Sequence, residues 1–175
     1  MQKKYIVTIE HDEALESPRE WDNVGLMEYA HNRYILGAEK FDSSAASFSS
    51  WEEYDENLEY KGFLFLPLYI YDHGGVTMKT NAFGDIWDSG RVGTILVHRT
   101  KVLEEYGSKR LTKKAREWAY KRLRAEVEVF DLYLRGEVYG YIIEDEEGNH
   151  LDSCWGFYGE DEVNRAALEA LEGVM

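Results

Sequence analysis

The stretch Gly62–Val97, GFLFLPLYIYDHGGVTMKTNAFGDIWDSGRVGTILV, decides the fold. It opens on an apolar run, turns at His73-Gly74-Gly75 and returns as Val76-Thr77-Met78. It turns again through Asp85-Ile86-Trp87-Asp88-Ser89-Gly90 and leaves as a second apolar run. Paired glycines reach positive φ without a Cβ clash, so His73-Gly74-Gly75 reads as a tight turn between strands. Strands are expected over 62–72, 75–79 and 91–98, forming the middle of an antiparallel sheet. Pro67 has no N–H to give a ladder, so the first strand should bulge or lie at an edge there.

Working outward, Tyr5-Ile6-Val7-Thr8-Ile9 alternates as a strand. Ser17-Pro18-Arg19-Glu20 has the order of a capping box, and Asp22-Asn23-Val24-Gly25 stops it after a single turn. Met27, Tyr29, Tyr34, Ile35 and Leu36 give weak helical spacing, and Asp42-Ser43-Ser44-Ala45-Ala46-Ser47 is a loop by composition. Ser49-Ser50-Trp51-Glu52-Glu53 offers two overlapping capping boxes ahead of a helix from Trp51 to Glu59. Thr100 is expected to cap a short helix, Lys101 to Tyr106, closed by Gly107. From Thr112 to Arg135 the residues Ala115, Ala119, Leu123, Val127, Phe130 and Leu134 recur at steps of three or four, one apolar stripe along a long helix. Glu137–Glu144 and His150–Tyr158 form a hairpin joined by Glu146-Glu147-Gly148-Asn149, with Gly140 and Gly156 marking bulges or close backbone approach. Asp161 is expected to cap a last helix through Val163, Ala167, Leu168 and Leu171. The sum is one α+β domain over residues 1–175: an antiparallel sheet of five or six strands, with helices packed on one face.

A chain of 175 residues buries a real core without disulfides, and the single Cys154 allows no internal one. Cys154 on its strand reads as a small buried hydrophobe, and Trp21, Trp51, Trp87, Trp118 and Trp155 as core. No apolar segment approaches the ~20 residues a bilayer needs, and no signal peptide is evident, so a soluble cytoplasmic protein with no membrane partner is expected. Net charge is −14. Residues 1–60 hold 14 acids against 5 bases, residues 99–136 hold 6 against 11, and residues 137–175 hold 11 against 1. Phosphate contact needs clustered Lys and Arg, so direct nucleic-acid binding by the whole surface is excluded, leaving a basic partner or plain solubility.

Two constellations could carry function. Asp72 and His73 on the turn, with Asp85 and Asp88 on the next loop, have the chemistry of a divalent-metal site or a general acid/base pair. The competing reading is that Gly-Gly makes the turn and Asp72 and His73 cap it. The second constellation is acidic: Glu52, Glu53, Asp55, Glu56 and Glu59 on the first helix, and Glu144, Asp145, Glu146 and Glu147 at the hairpin turn. Carboxylates at phosphate-like spacing can occupy a nucleic-acid-binding groove by charge complementarity, against the alternative of a solvated face. No Walker, dinucleotide, HExxH, CxxC, EF-hand or GxSxG pattern is present.

Five segments together resemble a family of small, acidic, uncharacterised proteins encoded by bacteriophages and mobile elements: Ser17–Asn23, Tyr71–Met78, Trp87–Gly93, Gly136–Tyr141 and Asp152–Gly159. The resemblance implies context and carries over no site residue. It points to anti-defence work, meaning inhibition of a host nucleic-acid-directed effector of restriction or CRISPR type, with no catalytic residues and no cofactor. A homodimer is left open. The alternative is a small metal-dependent enzyme acting on a nucleotide or phosphate substrate, using Asp72, His73, Asp85, Asp88 and a divalent ion.

Overall fold

The computed structural model describes residues 4–37, 39–40, 48–84 and 87–174. In chain order they form β1 (Tyr5–His11), a 3-10 turn (Pro18–Glu20), β2 (Leu26–Tyr29), β3 (Glu39–Lys40), α1 (Trp51–Lys61), β4 (Phe63–Asp72), β5 (Val76–Lys79) and β6 (Ser89–His98). They continue with α2 (Arg99–Tyr106), α3 (Lys113–Leu134), β7 (Val138–Asp145), β8 (His150–Tyr158) and α4 (Glu160–Val174). The chain is α+β. It groups into two compact units, Met1–Pro18 with Leu132–Met175, and Arg19–Asp131.

The first unit holds a three-stranded antiparallel sheet, β1-β7-β8. β1 pairs with β7 from Tyr5↔Asp145 to His11↔Tyr139. The alternation along β7 turns Tyr139, Tyr141 and Ile143 to one face, where they bury against Val163 and Ala167 of α4. The expected hairpin is present, and its register shifts between Tyr139 and Tyr141 and again between Ile143 and Glu144. At the first shift Trp155 and Gly156 of β8 face the single Gly140, with Gly156 at φ 84°, and a Cβ on Gly140 would overlap the indole of Trp155.

The second unit holds the sheet β3-β2-β6-β4-β5, antiparallel apart from the two-residue β3, which pairs parallel with β2. β6 is buried at every residue from Val92 to Val97. Such an unbroken run requires cover on both faces. On one face α1 brings Tyr54 and Leu58 onto Leu96, Phe63 and Phe65. On the other, Leu123 of α3 reaches Ile95 at Gly25, where a Cβ would stand 2.5 Å from Leu123 Cδ2. Pro67 sits opposite Thr94 of β6, while β5 pairs only from Tyr69 onward, so β4 is an edge strand at the proline. The register shift follows at once, between Leu68 and Tyr69.

The expectation of a single sheet with helices on one face is therefore corrected. There are two sheets, α4 packs on the smaller, and the larger has helices on both faces. Met27 and Tyr29 belong to strand β2 and not to a helix; they are two residues apart and both buried against β6. The cap of α2 is His98, whose ring accepts from Thr100 N at 3.3 Å, and not Thr100. α4 begins at Glu160, so Asp161 lies in its first turn and is not its cap. Cys154 is exposed on β8, and none of the five tryptophans is fully buried; Trp87 is 90% exposed. β8 is the outer strand of its sheet, which explains the exposure of Cys154 and Trp155. The loop 42–47 lies outside the described residues. No described helix is long and apolar enough to cross a membrane.

Candidate functional site

β4 ends at Asp72 and β5 starts at Val76, with Gly74 at φ 75° making the turn. The turn is tied to its neighbour by Asp72 N donating to Asp88 O at 3.0 Å and His73 N to Gly75 O at 3.3 Å. His73 Nδ1 stands 3.3 Å from Asp88 Oδ2, so these two candidates do come together, both open to solvent. Asp72 is turned to other work. Its carboxylate accepts from Tyr34 Oη at 3.1 Å and from the Arg33 guanidinium at 3.2 Å. Tyr34 is in turn held by its backbone N–H donating to His31 Nδ1 at 3.2 Å, with the two rings stacked. Burial first, and then the Asp72 carboxylate, push the Tyr34 phenol above its ordinary pKa. Asp85 lies outside the described residues. Among the described residues no group of three or more His, Cys, Asp or Glu converges in a way that could hold a metal ion.

Along α1 the acids divide by role. Ser50 is the N-cap, and its hydroxyl accepts from Glu53 N at 3.3 Å. Glu53 reaches back to accept from Ser49 N at 2.8 Å and Ser49 Oγ at 2.7 Å, and these two bonds hold its pKa below the usual range. Asp55 forms a two-pronged pair with Arg91 at 2.7 and 2.8 Å. That guanidinium also donates to Thr94 Oγ1 at 2.8 Å and lies over the Trp51 ring. Tyr54 donates to the Glu28 carboxylate, and burial together with that carboxylate pushes the phenol far up. Glu52, Glu56 and Glu59 face outward beside Tyr60, which is 90% exposed. Glu52 is kept ionised by its own backbone amide and by Ser50.

At the hairpin turn Asp145 is structural. It accepts from Glu147 N and Asn149 N, both at 2.9 Å, and from Asn149 Nδ2 at 2.8 Å. Glu146 and Glu147 remain outward. The hairpin turn belongs to the first unit and α1 to the second.

Sequence reasoning missed two features. α4 carries an acidic first turn, Glu160, Asp161 and Glu162, placed where the helix dipole favours it. Arg19 and Glu126 form a largely buried ion pair at 3.1 Å across 107 residues, which no local pattern announces. The only advance sign of the second was a glutamate inside the apolar stripe of α3. No family model, curated protein or solved structure matches the chain.

Proposed function

We propose that the chain is a phage or mobile-element accessory protein that binds a host nucleic-acid-directed defence effector, of restriction or CRISPR type, and occludes its nucleic-acid groove with carboxylates. It works in the host cytoplasm and needs no cofactor. The observation that carries this reading is the outward row Glu52, Glu56 and Glu59 on α1. At a rise of 1.5 Å per residue the row covers about 10 Å. One strand of B-DNA presents about three phosphates over the same length. Spacing and sign therefore suit a groove built for a phosphate backbone.

The test is binding to purified restriction and CRISPR effectors at increasing salt. Affinity should fall as salt rises, nucleic acid should compete, and the triple reversal Glu52→Lys/Glu56→Lys/Glu59→Lys should abolish the complex. An affinity indifferent both to salt and to the reversal would refute the electrostatic mechanism. The metal-enzyme alternative gains no specific support, because the Asp72 carboxylate is already occupied by Tyr34 and Arg33.

A further inference from the structure

The described residues of the second unit enclose a groove of about 600 Å³ where α1 ends and where β4, α2 and α3 begin. We propose that this groove binds a purine mononucleotide, with the phosphate on Arg99 and Arg116 and the base against Phe65 and Tyr120. All four of those residues line it, together with Glu59 and Gly62.

Four observations support the assignment. The volume falls in the range of small-molecule sites, about 300–1,000 Å³. Neither the Arg99 nor the Arg116 guanidinium has a hydrogen-bond or ion-pair partner among the described residues; Arg110 and Arg122 share that property, and what marks Arg99 and Arg116 is that both line the one groove. Two guanidiniums at one opening, against the single Glu59 carboxylate, can clamp a phosphate. The position of Arg99 is also built in. Its N–H donates to Gly62 O at 3.1 Å, and its side chain lies across Gly62, where a Cβ would come within 3.2 Å of Arg99 Cδ and Nε. Finally, the aromatic walls offer stacking, and Glu59 offers an acceptor for the exocyclic amino group of either purine and for the N1–H of guanine. A purine with one phosphate uses all three kinds of group, and a bare anion uses only one. The groove lies beside the segment 99–136, the one net-basic stretch of an acidic chain, so an anion is drawn to this side.

Isothermal titration and ligand-observed NMR with AMP, GMP, adenosine and inorganic phosphate test the proposal on the full chain. Binding of AMP or GMP is expected, with inorganic phosphate and adenosine each at least tenfold weaker. Arg116→Met should weaken the nucleotide at least tenfold. It is an exposed side chain without internal partners, so an unchanged circular dichroism spectrum and thermal midpoint will confirm that it folds. Arg99→Lys should retain more affinity than Arg99→Met. Absence of nucleotide binding overturns the proposal. So does equal affinity for inorganic phosphate, or wild-type affinity in both methionine variants. None of these outcomes decides the acidic-face reading, which shares only Glu59 with the groove and is tested with protein partners.

Discussion

Removing the Glu126 carboxylate should damage the protein more than removing its ionic partner Arg19. The side chains are 5% exposed for Arg19 and 14% for Glu126, so the pair sits largely out of water. Glu126 has three donors: Val24 N at 2.8 Å, Gly25 N at 3.2 Å and Arg19 at 3.1 Å. It fastens the segment before β2 onto α3. Glu126→Ala strands a buried guanidinium and two backbone amides together. Breaking a buried pair from one side costs about 3–5 kcal/mol. Arg19→Met leaves the carboxylate with both amides still donating, and the methionine fills most of the space. What goes includes the pair itself and the bonds from Arg19 to Gly25 O at 2.5 Å and to Asn23 Oδ1 at 3.2 Å, a cost of about 1–3 kcal/mol. Urea unfolding at neutral pH reads both values, and an unchanged m-value shows that the two states compared are the same. Because the pair is shielded, the difference should persist in high salt. If Arg19→Met proved as costly as Glu126→Ala, the carboxylate would not be the anchor and the argument would fail.

Other consequences are open to similar checks. Gly93→Ala should prevent stable folding, because the new Cβ meets the backbone carbonyl of Glu28 and only separating β2 from β6 relieves it. Gly140→Ala meets a movable ring instead, so about 1–3 kcal/mol is expected, largely restored by adding Trp155→Ala; thermal melts of the three variants decide it. With its folded pKa depressed by Ser49, Glu53 contributes stability that is full above its ordinary pKa of 4.5 and is lost as pH falls through the lower folded value. Glu53→Gln should therefore flatten the acid limb of a pH–stability curve. The Tyr54 phenol is raised, so its contribution is full below pH 10 and is lost as pH climbs toward the folded value. Tyr54→Phe should remove part of the alkaline loss, seen by unfolding across the alkaline range.

Legibility in the sequence followed the range of the interactions. The stripe of α3, the cap at Ser50 and the turn at Gly148 depend on residues within a few positions of one another, and each was readable; Pro67 announced an irregularity and left bulge and edge open. The pairing of β1 with β7 joins Tyr5 to Asp145, and no pattern in either strand names the other. That is why one sheet was expected where there are two. β2 is only four residues long, too short for its alternation to outweigh the loosely spaced apolar residues after it. Tryptophan exposure was misjudged because hydrophobic size says nothing about where a residue sits: Trp155 is on an outer strand, and Trp21 and Trp87 are on connections. At the candidate site, the sequence placed His73 near Asp88 but could not show that Asp72 would be claimed by Tyr34 and Arg33, from a loop about forty residues earlier.

The partnership of β1 with β7 also sets a timetable. During synthesis β1 leaves the ribosome ahead of β7 with its pairing edge bare, and that complement emerges more than a hundred residues later. At about 5–20 residues per second that is a wait on the order of ten seconds. Until then the nascent chain carries an unmated ribbon. Holdase chaperones have their opening in that interval, and a product stalled before β7 would be left with an orphan β-segment.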